Sequence, residues 1–449
     1  MDHITVRHIV EAVSGTLLCG DADTELKHIS IDSRSMRGAD LFVPLIGEKS
    51  DAHRFLVQAM DNGAAAALTS EHEAAPEGFH GALIQVKDTK LALQTIGRCL
   101  RARLSIPLVG ITGSVGKTTT REMVAAALSA KYKTFKTPAN HNSQIGVPLT
   151  ISEISENDEI GVLELGMSEP GEMAVIAEIA AVDSAVMTNI GVTHIENLGS
   201  RENILKEKLH IQDGMKAGGI LFVNGDNDML STVHAKAGCH TVRYGLGADN
   251  DYRAEDLSYL DGFPSFTMVH GEVRVPVKLT VMGEHNVMNA LAALAVADAY
   301  DVPLADAAEK LLEFGGFKNR QQIYHKNGYT IVDDTYNASP DSMKAAIGVL
   351  SSLPAGRRIA VLADMKELGP DTITYHREVG AFLKHQPIDQ LVLMGELAWE
   401  IETGLKMDGG KISCVKTSTL EETETWLAEA VREGDCLLFK GSNSMGLSK

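Results

Sequence analysis

The stretch from Val109 to Met123, VGITGSVGKTTTREM, constrains the fold of this chain more than any other segment. It passes from an apolar, strand-like run through a glycine turn into a helical run. Glycines let backbone N–H groups approach phosphate oxygens, the helix N-terminus adds partial positive charge, and a lysine and a hydroxyl complete such a loop. The stretch therefore predicts a nucleotide-binding loop, although a glycine turn with a surface lysine is the alternative. The expected phosphate contacts are Gly113, Ser114, Val115, Gly116, Lys117, Thr118 and Thr119.

Apolar runs alternate with helical runs along most of the chain, which favours an α/β fold with parallel sheets. At 449 residues the chain is long enough for several domains. We expect a small mixed α/β domain with short apolar runs over 1–105, a central domain with a parallel sheet over 106–315, and a Rossmann-like third domain over 316–449. The run SFTMVHGEVRVPVKLTVMG reads as antiparallel strands with a turn at His270-Gly271, inserted in the central domain.

Composition excludes several classes of partner. Asp and Glu total 60 against 41 Lys and Arg, a formal charge of −19, which disfavours binding to nucleic acid or to an anionic membrane. The five cysteines are far apart, as is usual in a reducing compartment. The N-terminal residues lack a basic region followed by an apolar core. We therefore expect a cytoplasmic protein, monomeric, with no membrane span.

One departure from the general phosphate-loop pattern identifies a family. Ile111 stands where that pattern has glycine, so the loop reads Gly-x-x-Gly-Lys-Thr-Thr. This form resembles the loop of the ATP-dependent Mur ligases and folylpolyglutamate synthases, which activate a carboxylate as an acyl phosphate and couple it to an amine. The resemblance implies ATP as the nucleotide and Mg²⁺ at two sites.

The same resemblance implies the metal-binding and catalytic residues. Glu164 in VLELGMSEPGEM and His194 in TNIGVTHIENLG match family positions near magnesium, and Lys208 in SRENILKEKLHI matches a lysine carbamylated by carbon dioxide. Lys117 and Thr118 would hold the phosphates and the first Mg²⁺; Glu164, His194 and carbamylated Lys208 would hold the second. The residues alone also allow a solvated strand-end acid, a hydrogen-bonded loop histidine and a helix-surface lysine, with Lys206 as the rival of Lys208.

Two further segments resemble family contacts to the nucleoside. In MGEHNVMNALAALAVA, Asn286 and Asn289 would contact the adenine, although Asn286 could instead cap the helix. In KNRQQIY and IVDDTYNASPDSM, Arg320 would face the phosphates and Asp334 the ribose. A turn-capping role for Asp334 remains open, because this residue follows a strand.

The flanking segments indicate the substrates. The phosphate loop follows about a hundred residues, which fits a Mur ligase better than a folylpolyglutamate synthase. The segment DSRSMRGADLFVPLIGEKS resembles a UDP-binding region, with Ser33 and Arg34 near the diphosphate. TPANHNSQIGVPLTI resembles a segment that meets the muramoyl peptide through Asn140, Asn142, Ser143 and Gln144, although a polar surface loop is the alternative.

VDDTYNASPDSM and LADMKELG resemble the family branch that adds the terminal dipeptide, and the Asp-Asn-Pro-Arg motif of the third-residue ligases is absent. The resemblance implies an enzyme that joins D-alanyl-D-alanine to UDP-N-acetylmuramoyl-tripeptide, with ADP and phosphate as by-products. The alternatives are a third-residue-adding Mur ligase and a nucleotide-dependent regulatory protein that has lost ligation.

Overall fold

The computed structural model describes residues 1, 3–407 and 409–448. It contains three large sheets that follow one another along the chain, and it confirms the predicted α/β architecture. Among the described residues, no helix combines the length and apolar character needed to cross a bilayer.

The first sheet has five strands in the order β2-β7-β6-β5-β4 and is parallel except for the β2–β7 pair, while β1 and β3 form a separate antiparallel pair. Its short apolar runs form β4 to β7. The elements are β1 (Ile4–Thr5), α1 (Val6–Val13), β2 (Thr16–Cys19), β3 (Glu25–Leu26), β4 (His28–Ser30), β5 (Asp40–Phe42), α2 (Leu56–Asp61), β6 (Ala64–Thr69), β7 (Ala82–Gln85) and α3 (Thr89–Arg103).

The central sheet has nine strands in the order β16-β15-β14-β13-β12-β11-β8-β10-β9. Its strands are β8 (Leu108–Thr112), β9 (Thr134–Lys136), β10 (Ile160–Glu164), β11 (Ser184–Met187), β12 (Ile220–Asn224), β13 (His240–Gly245), β14 (Tyr252–Leu260), β15 (Phe263–His270) and β16 (Val273–Lys278). Its helices are α4 (Lys117–Leu128), α5 (Gly146–Ser152), α6 (Glu172–Ala180), α7 (Ile195–Leu198), α8 (Arg201–Leu209), α9 (Glu284–Ala299) and α10 (Leu304–Glu313).

The order of this sheet positions the phosphate loop. Strand β8 lies between β10 and β11 and pairs with both in parallel. The loops after these three strands therefore emerge at the same edge of the sheet, where open α/β sheets bind ligands. The run predicted as antiparallel strands forms β15 and β16, and β14, which pairs with β15, also pairs in parallel with β13, so these strands extend the central sheet.

The third sheet has six strands in the order β17-β18-β22-β19-β20-β21, parallel except for the β17–β18 hairpin. Its elements are β17 (Gln322–Lys326), β18 (Tyr329–Asp333), α11 (Pro340–Ser352), β19 (Arg357–Ala363), α12 (Thr372–Leu383), β20 (Gln390–Met394), α13 (Trp399–Met407), β21 (Ser413–Thr417), α14 (Leu420–Ala430) and β22 (Asp435–Lys440).

Helices α12 and α13 pack against each other through glycines. A Cβ atom added to Gly380 would lie 2.0 Å from the carbonyl oxygen of Ile401, and one added to Gly404 would lie 2.1 Å from that of Arg377. Both obstructing atoms belong to the backbone, so no side-chain rotation can make room. The two helices can approach this closely only because neither residue has a side chain.

We predict that Gly380→Ala destabilises the fold by about 1–3 kcal/mol, because overpacked backbone must move apart. Urea denaturation followed by circular dichroism measures the effect. Gly348 in α11 is the matched control: a Cβ there meets no atom within 4 Å, so Gly348→Ala should be neutral or stabilise by up to about 1 kcal/mol. Equal midpoints for the Gly380 variant and the unaltered protein would contradict this packing.

Candidate nucleotide and substrate site

A cavity of about 500 Å³ lies where the carboxyl edge of the central sheet meets the segment that begins the third sheet. Most of the residues singled out in the sequence line it, although they come from segments that are more than two hundred positions apart in the chain. These lining residues are Ser114, Val115, Gly116, Lys117, Thr118, Thr119, Asn142, Ser143, Glu164, His194, Asn286, Asn289, Arg320 and Asp334.

The phosphate loop is held by the segment after β11. Gly113 has a φ of 152°, and a Cβ there would lie 1.9 Å from Thr188 Oγ1, so only glycine fits. The backbone N–H of Ser114 donates to the carbonyl of Asn189 at 3.0 Å, and that of Val115 donates to Asn189 Oδ1 at 2.8 Å. The loop is therefore braced from outside, with helix α4 beginning directly after it.

Lys117 is turned into the loop rather than toward solvent. Its Nζ donates to the carbonyl oxygen of Gly113 at 2.8 Å. Burial lowers its pKa, Glu164 opposes this, and Arg320 adds to it. An anion in the cavity would favour the charged form, as expected for a lysine that meets phosphates. The alternative of a surface lysine does not fit this position.

Glu164 ends β10 and is 3% exposed, so it is not a solvated strand-end acid. Its Oε1 accepts a hydrogen bond from Asn142 Nδ2 at 2.8 Å, and its Oε2 accepts one from Arg121 Nη1 at 3.2 Å. A carboxylate oxygen has a second lone pair, so each oxygen can still meet a further ligand. Glu164 is thus fixed in direction and keeps the capacity to bind.

Lys208 and Lys206 are distinguished by burial. Lys208 is 1% exposed, whereas Lys206 lies at the surface of α8. The pKa of Lys208 lies well below its ordinary value because of burial first and the charge of Lys117 second. No hydrogen bond to its Nζ is formed within the described part of the chain. Lys208 is therefore buried close to Lys117, in surroundings that disfavour its charged form.

His194 lies between the central and third sheets. Burial, followed by the charges of Lys117 and Lys208, lowers its pKa to about 4. Its Nδ1 lies 2.7 Å from Glu367 Oε2, in a direction that does not make a hydrogen bond. Neutral imidazole at physiological pH leaves a nitrogen lone pair free for a ligand.

Two asparagines of α9 connect this helix to the phosphate-loop helix. Asn289 Oδ1 accepts a hydrogen bond from Thr120 Oγ1 at 2.9 Å, and Asn289 Nδ2 donates to Asn286 Oδ1 at 3.0 Å. Asn286 Nδ2 donates to the carbonyl of Met282 at 2.7 Å. The helix begins at Glu284 after Gly283, so the alternative role of Asn286 as its cap is not observed.

The third sheet's segment reaches the phosphate loop directly. Arg320 Nη2 donates to Thr118 Oγ1 at 2.9 Å, and its guanidinium carbon lies 4.0 Å from the centre of the Tyr336 ring. Asp334 Oδ2 accepts a hydrogen bond from the buried Lys440 Nζ at 2.7 Å. The arrangement is closed, with both parts of the chain in contact across the cavity.

Several predicted contact residues do not line this cavity. Ser33 is buried and its Oγ donates to Gln58, while the side chain of Arg34 is 80% exposed and pairs with Asp32. Asn140 is exposed, and Gln144 Nε2 donates to Glu172 at 3.0 Å. The other two predicted residues outside the lining are Gly113, whose carbonyl oxygen accepts a hydrogen bond from Lys117, and the buried Lys208.

Sequence reasoning missed a large part of the lining and two supporting residues. Among the missed lining residues are His285, Gln321, Tyr336 and Lys440, and the supporting residues are Arg121 and Glu367. Adjacency to Asn286 and Arg320 could have suggested His285 and Gln321. The strand-end position of Lys440 in LLFKGSN was a second available signal.

Comparison with known proteins gives a consistent result. The chain matches the Mur ligase family catalytic domain over 25–102, the Mur ligase middle domain over 111–297, and the Mur ligase glutamate ligase domain over 319–443. The UDP-N-acetylmuramoyl-tripeptide--D-alanyl-D-alanine ligase of Bacillus subtilis is 38% identical over 99% of this chain and 97% of its own length.

Solved structures agree. A crystal structure of MurF from Acinetobacter baumannii superposes with a TM-score of 0.90 at 30% identity, covering 99% of this chain and 97% of its own. MurF ligase from Thermotoga maritima in complex with ADP superposes with a TM-score of 0.83 at 30% identity, covering 95% and 96%. The chain therefore belongs to the Mur ligase family, among the UDP-N-acetylmuramoyl-tripeptide--D-alanyl-D-alanine ligases.

Proposed function

We infer that this chain joins D-alanyl-D-alanine to UDP-N-acetylmuramoyl-tripeptide, with conversion of ATP to ADP and phosphate. The observation that carries this inference is the cavity in which a braced phosphate loop, the strand-end carboxylate of Glu164 and the polar side chains of Asn142 and Ser143 face one another. A protein that binds a nucleotide but catalyses no ligation needs no polar side chains, such as those of Asn142 and Ser143, opposite its phosphate loop. The names of the relatives support the same pair of substrates.

The ATP contacts follow from the lining. The loop from Gly113 to Thr119 would surround the phosphates, with the side chain of Lys117 at their centre and Arg320 opposite. The adenine would lie beside Asn286 and Asn289, and the ribose beside Asp334. Since Arg320 already contacts Thr118, nucleotide binding needs only a change of partner for its guanidinium, not a new position of the third sheet.

Mg²⁺ fits this donor set only with help from its substrates. The described residues contain no cluster of three or more His, Cys, Asp or Glu side chains that could bind a metal ion. Mg²⁺ usually keeps few protein ligands and takes the rest from phosphates and water. Thr118 would hold one ion; Glu164, His194 and carbamylated Lys208 would hold another. When bound, these ions neutralise the phosphate charge that otherwise repels a carboxylate.

The burial of Lys208 and the lowered pKa of its amine support carbamylation of this residue. The ammonium first loses a proton to solvent; the amine then attacks carbon dioxide, an N–C bond forms as one C=O π bond opens, and a second proton goes to solvent, so that a cation becomes a carbamate anion. Lys117 nearby would stabilise the resulting negative charge. The modification therefore removes the repulsion between the two lysines and adds an oxygen donor.

The peptide substrate would enter from the side of Asn142 and Ser143, with Asn140 and Gln144 further along the loop and the uridine diphosphate toward Ser33 and Arg34. This assignment divides the chain into units 1–105 for the uridine diphosphate, 106–315 for ATP and 316–449 for closure. A monomeric protein of the cytoplasm would meet these soluble precursors.

The reaction then proceeds in two steps. The tripeptide carboxylate attacks the γ-phosphorus in line, an acyl phosphate forms and ADP leaves; catalysis consists mainly of positioning and charge stabilisation. The amine of D-alanyl-D-alanine attacks the acyl carbon through a tetrahedral intermediate, and phosphate leaves. The segment of Arg320, closed over the cavity with the nucleotide bound, would exclude water that would otherwise hydrolyse the acyl phosphate.

Phosphate release from ATP tests this function directly. We expect release only when UDP-N-acetylmuramoyl-tripeptide and D-alanyl-D-alanine are both present, because the second step must clear the acyl phosphate before turnover. Omission of each substrate in turn, with single amino acids offered in place of the dipeptide, provides the comparison. Phosphate release that continues when D-alanyl-D-alanine is omitted would reject the assignment. So would release that is faster with UDP-N-acetylmuramoyl-dipeptide and a single amino acid.

Lys117→Ala should lower phosphate release by about 100-fold or more, because the cation that meets the phosphates is lost. Circular dichroism should show an unchanged fold, since the side chain contacts only loop carbonyls. Lys206→Ala, at an exposed position of α8, is the control and should retain full turnover. Full activity of the Lys117 variant would contradict the role of the loop.

Lys208→Ala should be inactive, and millimolar formate or acetate should restore part of the rate by supplying the missing carboxylate. Removal of dissolved carbon dioxide and bicarbonate should lower the rate of the unaltered enzyme and leave the formate-supplemented variant unaffected. Mass spectrometry of gently handled protein should detect the added mass of one carbon dioxide on Lys208. Unchanged activity of the Lys208→Ala variant would eliminate the carbamate.

A further inference from the structure

Arg121 is the largest side chain in the described part of the protein with almost no exposure. It lies four residues after Lys117 in α4, on the same face of the helix. An arginine cannot lose its charge when buried, so its five donors need partners. Where those partners lie shows what the side chain holds in place.

The guanidinium contacts three separate parts of the site. Its Nη1 donates to Glu164 Oε2 at 3.2 Å and to the carbonyl oxygen of Ala139 at 2.9 Å. Its Nη2 donates to Glu122 Oε1 at 2.6 Å. Its carbon lies 5.8 Å from the centre of the Phe317 ring, in the segment that leads to the third sheet. The side chain of Arg121 therefore connects the phosphate-loop helix, the carboxylate of Glu164 at the end of β10, and the loop that contains Ala139.

Ala139 is in a strained conformation, with a φ of 47°. A residue with a Cβ adopts this left-handed region only when its surroundings hold it there. The bond from Arg121 to its carbonyl is such a restraint. Ala139 directly precedes Asn140, so its conformation sets the direction in which the loop carries Asn142 and Ser143 to the cavity.

Charge gives a second reason for the position of Arg121. Two carboxylates, Glu122 and Glu164, are almost fully buried here, and two cations balance them, Arg121 and Lys136, which pairs with Glu122. Lys117 already feels the charge of Glu164. Without Arg121, Glu164 would be free to turn toward Lys117, whose charged form it already favours, and both would be withdrawn from the nucleotide.

We propose that Arg121 is a positioning residue that holds Glu164 away from Lys117 and fixes the strained Ala139 turn, so that one guanidinium aligns the metal-binding carboxylate with the loop that meets the acceptor peptide. This inference rests on the proposed function for the identity of the substrates. The separation of Glu164 from Lys117 is independent of it, because it concerns nucleotide and Mg²⁺ alone.

Lysine and methionine substitutions separate the two roles. Arg121→Lys keeps the charge beside Glu164 but cannot donate to Glu164, Glu122 and Ala139 at once. Arg121→Met removes both the charge and the donors. Lys136→Met is the matched control: it alters the same charge network through Glu122 and leaves the contacts of Glu164 and Ala139 intact.

Two measurements carry the test. Calorimetric titration with a non-hydrolysable ATP analogue, with and without Mg²⁺, reports on Glu164 and Lys117. Steady-state KM for UDP-N-acetylmuramoyl-tripeptide reports on the loop. We expect Arg121→Met to lose most of the Mg²⁺-dependent gain in affinity, and its KM to rise by about tenfold, the usual effect of losing a charge-assisted hydrogen bond. Arg121→Lys should retain the Mg²⁺ response and show the raised KM alone, and Lys136→Met should match the unaltered protein in both.

An Arg121→Met protein with the normal Mg²⁺ response and normal KM would overturn the proposal. So would Lys136→Met defects as large as those of Arg121→Met, because they would assign the effect to the charge network as a whole. Should Arg121→Met fail to fold, the Arg121→Lys split between KM and Mg²⁺ response decides. An unaltered protein that lacks ligase activity would reject the proposed function, while the nucleotide titrations would still decide the role of Arg121.

Discussion

The contact between Gly113 and Thr188 is the constraint on which the rest of the site depends. Strands β8 and β11 are parallel neighbours, so the loops after them emerge together. The missing side chain at Gly113 lets those loops touch, and Thr188 Oγ1 donates to the carbonyl of Val115 at 2.6 Å. The phosphate loop is consequently a braced structure before any ligand arrives, and binding need not order it.

Electrostatics then prepares this volume for anions. The positive charges in this volume lie close together. The charge of Arg320 lowers the pKa of Lys117, that of Lys117 lowers the pKa of Lys208, and both lysines lower the pKa of His194. Burial makes each cation costly, which lowers the pKa of both lysines and of His194. Binding of a triphosphate would relieve the cost at Lys117, and the proposed carbamylation would remove it at Lys208. The cavity thus favours a nucleotide and a second carboxylate for the same physical reason.

Sequence patterns predicted the fold and the segments of the site because both follow from local order. The strand–loop–helix unit at Lys117 needs only neighbouring residues, and alternation along the chain implies a parallel sheet. The choice between Lys208 and Lys206 as the site lysine needed the structure, because only Lys208 is buried and their spacing of two residues in the sequence does not show this. Arg121 and Glu367 were missed because their partners, Glu164 and His194, are distant in sequence and only tertiary packing brings them together. Periodicity likewise predicted the antiparallel strands after Asp249 but not the pairing of β14 with β13, because a pattern indicates strands and not which neighbour each one pairs with.

The central claim is that the tripeptide carboxylate and the γ-phosphate of ATP meet in this one cavity. The most direct measurement uses tripeptide substrate with ¹⁸O in its terminal carboxylate and analyses the released phosphate by mass spectrometry. Transfer through an acyl phosphate moves one carboxylate oxygen to phosphorus, so the phosphate should carry one ¹⁸O per turnover. Phosphate free of label, with amide product formed at the normal rate, would contradict the account.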